Sequence, residues 1–179
     1  MSIINKDYFN TVLRNIPNTN AEYVQEYVQS IIDSYEPKYL QSVLGYKLYK
    51  AFIADLEIDP IPERATNLLT GCEFECNGVL LKWCGFKNTT TFYSPLADYV
   101  MVNYLNDNSS STTGVGESIP QTDHVVVAST LPKMMQLWNN MRNDNKILYL
   151  FITQNLTVYP EFDDNVESGM YKPINYLGI

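Results

Sequence analysis

The stretch CEFECNGVLLKWC, from Cys72 to Cys84, holds all three cysteines of the chain. Thiols this close in sequence raise three chemistries: a metal site, a disulfide or a redox centre. The Asn77-Gly78 pair between them bears on all three, because a type I′ hairpin turn needs positive φ at both central residues. With those two residues as the loop, Cys76 faces Val79, Phe74 faces Leu81 and Cys72 faces Trp83. Side chains alternate across a strand, so Cys72, Phe74, Cys76, Val79, Leu81 and Trp83 share one apolar face. Glu73, Glu75, Leu80, Lys82 and Cys84 fall on the other, with Glu73 opposite Lys82 as a cross-strand ion pair. Cys76 and Cys84 then point to opposite faces. Cys72 and Cys76 share a face but lie roughly 13 Å apart along one strand, beyond the reach of a disulfide. Zinc wants four ligands, with a second close pair. Here Cys72-x3-Cys76 stands alone, and His124 is the only histidine. Free cysteines packed as small hydrophobes are expected.

The remaining chemistry-bearing residues are sparse. His124 as a base would need a positioned nucleophile, and nothing in the sequence brings a cysteine to it; an exposed or capping histidine is the plainer reading. Glu161, Asp163 and Asp164 form an acidic cluster without the spaced oxygen ligands of a calcium loop, so a solvated run is expected. Gly114-x-Gly116 lacks the Gly-Lys-Ser/Thr that completes a phosphate loop. Met134, Met135, Trp138 and Met141 recur at helical spacing and are read as core. Tyr23, Tyr27, Tyr35, Tyr39, Tyr46 and Tyr49 are too many for one helix face, so some must be exposed, and tyrosine is enriched at interfaces. No catalytic, cofactor-binding or metal-ligating residue is assigned.

The elements that carry these residues are mostly helical. Val24, Tyr27, Val28, Ile31, Ile32 and Tyr35 follow an i, i+3, i+4 stripe, with Thr19 or Asn20 as the N-cap. Pro37 should kink or restart the helix. The stripe resumes through Tyr39, Leu40, Val43 and Leu44, with Gly45 as a left-handed cap. Leu48, Tyr49, Phe52, Ile53 and Leu56 mark a further helix, and Pro62 opens a short one closed by Gly71. After the hairpin (71–87), Thr89 to Leu105 reads as helix. The segment 106–123, NDNSSSTTGVGESIPQTD, is polar enough to be a flexible loop. HVVVAST, from His124, is ambiguous between strand and helix lead-in. A last helix begins at Leu131. The expected fold is mainly α, a bundle of about five helices with one inserted β-hairpin. Residues 1–158 form the domain, and 159–179 an extended C-terminal arm.

Composition narrows the function class. The chain has 179 residues, 45% of them hydrophobic, and a formal charge of -8, with a pI near 4.5. One domain with a real core is expected. An acidic surface is poorly suited to neutralising phosphates. Three unpaired cysteines suggest a reducing compartment. The opening MSIINKDYFN has no basic stretch followed by an apolar one, so no secretory signal is expected. No apolar run approaches a membrane span.

The run YVQSIIDSYEPKYLQSVLGYKLYKAF, from Tyr27 to Phe52, resembles the N-terminal helical segment of phage head-tail connector (adaptor) proteins, in particular those of phages of Bacteroidetes hosts, including crAss-like phages. The pattern is an aromatic-Leu, a Leu-Gly and a Leu-Tyr: here Tyr39-Leu40, Leu44-Gly45 and Leu48-Tyr49. The order beyond it is also similar. A hairpin with Asn-Gly and Trp spans Gly71 to Lys87. A helix of the kind LADYVMVNYL and a Gly114-Val115 loop come next. A long final helix and a tail ending in NYLGI complete the likeness. HVVVAST and Pro132 depart from it, where plain helix is the family pattern.

The resemblance implies a structural virion protein and not an enzyme, with no cofactor. It implies a ring of copies of the chain, typically twelvefold, between the portal protein and a neighbouring tail or ring protein. Genomic DNA would pass without specific binding, and no membrane would be involved. The implied location is the portal vertex or neck of the virion, and the host cytoplasm during assembly. The alternative is a non-virion protein-protein interaction module of a phage or its bacterial host.

Overall fold

A computed structural model describes residues 2–108, 111–113, 116–118, 130–163 and 170. Four α-helices carry the chain: α1 (Glu22–Asp55), α2 (Glu63–Thr70), α3 (Pro95–Asp107) and α4 (Leu131–Gln154). A hairpin of β1 (Cys72–Cys76) and β2 (Val79–Trp83) follows α2, and β3 (Ser111–Thr113) pairs with β4 (Gly116–Ser118) after α3. The protein is therefore mainly α with an inserted antiparallel hairpin, as expected. α3 packs between α1 and α4, while β1 and β2 lie against α4.

The sequence places breaks in α1 at both Pro37 and Gly45; the structure keeps only the one at Gly45. Helical backbone runs through Pro37, whereas Gly45 takes φ 72° and ψ 158°. Proline costs the helix one donor and crowds the carbonyl four residues back. That carbonyl belongs to Asp33, an exposed residue, so the penalty falls on the solvent side. Gly45 reaches a conformation that a Cβ would strain. Counting the two segments of α1, five α-helical segments are present among the described residues.

The helix starts also differ. α1 begins after Ala21 with no side-chain cap. The Thr19 hydroxyl instead donates to Asn10 Oδ1 at 2.6 Å, which ties the N-terminal segment to the entry of the helix. α3 begins at Pro95, six residues later than Thr89. Asn88 Oδ1 accepts from Thr90 N and Thr91 N, a local turn that competes with helix. Phe92 has φ 49°, and Ser94 caps Leu96 N while donating to Phe86 O. Pro95 then sits in the first turn, where its missing N–H costs nothing.

The hairpin register is the one expected: Cys72 pairs with Trp83, Phe74 with Leu81 and Cys76 with Val79. Trp83 is fully buried and donates from Nε1 to Leu68 O at 3.1 Å. Phe74 meets Phe151 of α4 edge to face, centroids 5.3 Å apart. At the tip the two strands differ: Cys76 is buried, while Val79 and Leu80 are exposed, so Val79 leaves the apolar face expected for it. The last residue of α4, Gln154, already reaches Cys76 Sγ, so the turn projects past the helix end.

The N-terminal segment, silent in the hydrophobic pattern, belongs to the core. Ile3, Ile4, Tyr8, Phe9 and Ile16 are buried, around a 3₁₀ turn over Lys6–Phe9 capped by Asn5. The polar stretch 106–123 holds more order than its composition suggests. α3 continues to Asp107, and β3 and β4 pair in register from Ser111 with Ser118 to Thr113 with Gly116. A ladder of this kind needs only backbone partners and no buried side chains. At the start of the expected arm, Tyr159 is fully buried and its Oη donates to Arg64 O at 3.0 Å. Phe162 meets Tyr149 edge to face, and Met170 is buried with its carbonyl accepting from Asn145 Nδ2. The rest of 164–179, like residues 119–129, lies outside the described residues.

Candidate functional site

The three cysteines are free. Burial pushes the Cys72 thiol up, and burial together with the nearby Asp144 and Asp98 carboxyls pushes Cys84 far up. The thiolate is the reactive form, so both environments suppress nucleophilic chemistry. No group of three His, Cys, Asp or Glu side chains is placed to hold a metal among the described residues. His124, Gly114 and Asp164 lie outside them. Glu161 does not join Asp163 in an acidic cluster; it pairs with Arg64 at 3.1 Å.

Two ionic centres emerge that sequence reading did not find. In the first, Arg14 is nearly fully buried and Asp98 fully so. Arg14 Nη1 reaches Asp98 Oδ1 at 2.5 Å, Nε donates to Tyr8 O and Nη2 to Phe92 O. The guanidinium also lies over the Tyr93 ring, 5.3 Å from its centroid. Tyr93 Oη donates to Asp144, and burial with this carboxylate drives its pKa well above the phenol range. Burial pushes the Asp98 carboxyl up to about 7, against the pull of Arg14. Asp98 Oδ2 has no hydrogen-bond partner. The second centre is Arg64, gripped at both ends: Asp55 accepts from Nε and Nη2, and Glu161 from Nη1. It borders a cavity of about 280 Å³ lined also by Glu63, Asn67, Phe151 and Tyr159. Two carboxylates already neutralise this cation, which removes it as an anion receptor. Both centres join distant segments and so position the fold.

A signal for the first centre exists in the sequence. Asp98 interrupts the apolar run PLADYVMV, and a charge on a buried helix surface demands a partner. Its partner is 84 positions away, and no local pattern names it.

The surface contrasts with this interior. Of the six N-terminal tyrosines, Tyr39 is buried, Tyr35 and Tyr49 are half-buried, and Tyr23, Tyr27 and Tyr46 are exposed, at 71%, 46% and 63%. The tyrosines of α1 thus divide between core and solvent, as their number required. Of the expected methionine stripe on α4, Met141 is core, while Met134, Met135 and Trp138 are half-buried. Further exposed apolar pairs are Ile58 with Ile61 after α1, Val79 with Leu80 at the hairpin tip, and Leu156 with Val158 after α4. What this arrangement offers chemically is contact area. Its tyrosines supply flat amphipathic rings with few rotatable bonds. No helix among the described residues is long and apolar enough to cross a membrane. The chain matches no protein-family model, no curated protein and no solved structure.

Proposed function

We propose that the chain is a structural virion protein, a head-tail connector that forms a ring between the portal and the tail. The observation that carries this reading is the spacing of the exposed apolar and aromatic side chains over several elements: Tyr23 and Tyr27, Tyr46, Ile58 and Ile61, Val79 and Leu80, Leu156 and Val158. A ring subunit meets two lateral neighbours and a layer above and below it, so it needs several contact surfaces. A binding module with one partner needs a single contiguous patch. The charge of -8 also supports it, because an acidic conduit does not retain DNA.

The resemblance of Tyr27 to Phe52 to connector helices leads to the same proposal. In it, copies of the chain, the portal protein and a tail or ring protein are the partners, and the neck of the virion is the location. The test is mass spectrometry of purified particles followed by imaging of the neck. The expected result is the chain in ring stoichiometry at the portal vertex. Its presence in the producing cells but not in particles would overturn the reading in favour of a non-virion interaction module.

A further inference from the structure

Charge along α1 is segregated. From Glu22 to Glu36 the helix carries Glu22, Glu26, Asp33 and Glu36 and no basic residue. From Pro37 to Asp55 it carries Lys38, Lys47 and Lys50, and its one acid, Asp55, is buried and paired with Arg64. All of these except Glu36 and Asp55 are exposed. Exposed tyrosines stand among both sets, Tyr23 and Tyr27 at the acidic end and Tyr46 at the basic one. Lys50 lies over the Tyr46 ring, 5.7 Å from its centroid.

The helix dipole favours acids at the start of a helix, but its effect fades within a turn. The two runs here each extend over several turns, and Lys47 stands two turns before the end. Nor do the runs neutralise each other within one molecule. The unbroken helix from Glu26 to Leu44 alone spans about 27 Å at 1.5 Å per residue, against a screening length of about 8 Å in physiological salt, and Gly45 breaks it before Lys47 and Lys50. Glu22, Glu26, Lys47 and Lys50 form no ion pair among the described residues.

We propose that a second copy of this chain docks on α1 head to tail. The acidic, tyrosine-bearing start of one helix meets the lysine- and tyrosine-bearing stretch of the next. The contact deepens the ring reading above and rests on it for closure: a heterologous contact repeated by a fixed rotation closes into a ring. Opposite charges steer the approach and set the register, and the tyrosines supply the buried area.

The test is zero-length carbodiimide coupling of the full chain, mixed from unlabelled and ¹⁵N-labelled protein. This reagent joins a carboxylate only to an amine in contact with it. The isotope mixture separates links between molecules from links within one. Mixed-isotope links between these residues are expected, weakening as salt is raised. The double variants Glu22→Lys with Glu26→Lys, and Lys47→Glu with Lys50→Glu, each carry like groups at all four positions and so cannot couple there alone. Mixing the two variants should restore links at the exchanged positions, because every contact is complementary again. Melting curves establish that each variant is folded. No mixed-isotope link between these positions, or no recovery on mixing, overturns the proposal. Particles that contain the chain without such links keep the connector reading and reject this contact. Links in a chain absent from particles do the reverse.

Discussion

Arg14 shows how a single side chain holds three segments. Its guanidinium binds the carbonyls of Tyr8 and Phe92 and the carboxyl of Asp98, so it joins the N-terminal turn, the α3 approach and α3 itself. Removing one member of a buried pair strands the other charge without water, at a cost of about 3–5 kcal/mol. Arg14→Ala is expected to destabilise by that amount in urea unfolding. Arg14→Lys should recover only part of the loss, since an ammonium lacks the planar fork. The thiols lead to a second prediction at this scale. Cys76 is buried, and burial pushes both Cys72 and Cys84 up. A disulfide reagent at neutral pH should therefore label the native protein far more slowly than the urea-unfolded chain. Prompt labelling of three thiols per native molecule would contradict the packing described.

At the scale of elements, the hairpin is held by its base. A two-stranded ribbon alone is marginal in water, and here Trp83 anchors it under Phe86, centroids 5.2 Å apart. Trp83→Ala should cost about 3–5 kcal/mol, read from denaturant midpoints. The base also needs two backbones in near contact. Phe86 N and Lys87 N donate to Leu68 O and Leu69 O, and a Cβ on Gly85 would stand 2.5 Å from the Thr70 carbonyl carbon. Gly85 also has φ 81°, so Gly85→Ala should destabilise by more than about 1 kcal/mol. An unchanged melting temperature in either variant would mean that the hairpin is not docked as described. Glu36 is a comparable tether for the N-terminal segment, accepting from Ile3 N and Ile4 N at 3.1 and 3.5 Å.

At the scale of the whole molecule, the buried carboxyls shape stability against pH. Burial raises Glu36 from 4.5 to about 6 and Asp98 from 3.8 to about 7. Raised values mean that the folded chain binds these protons more tightly than the unfolded chain. The stability they contribute is full below the unfolded values and is lost as pH rises through about 6 and then about 7. Asp144 is shifted in the same direction, mainly by burial. The formal charge of -8 acts alike, because self-repulsion grows above the pI. The melting temperature should therefore be higher at pH 5.5 than at pH 8. Asp98→Asn, which keeps an acceptor for Arg14, should flatten the slope between pH 6 and 8. An equally steep slope in that variant would assign the dependence to other groups.

The sequence by itself determined the local geometry. Asn77-Gly78 set the hairpin register to the residue, and the 3.6-residue stripes located α1 and α4, because turn chemistry and amphipathic period act over a few neighbours. The surplus of tyrosines required that some face water. What the tertiary structure decided were the contacts between distant positions: Arg14 with Asp98, Arg64 with Glu161, Tyr39 with Asn145. It also decided that the helix continues through Pro37, since solvent on the Asp33 side lowers the penalty of proline, whereas the break at Gly45 was legible in the sequence. It drew the N-terminal isoleucines and Tyr159 into the core, where isolated apolar residues find partners that no periodicity announces. Burial and charge pairing depend on which segments meet in space, and one chain read in order carries no record of that.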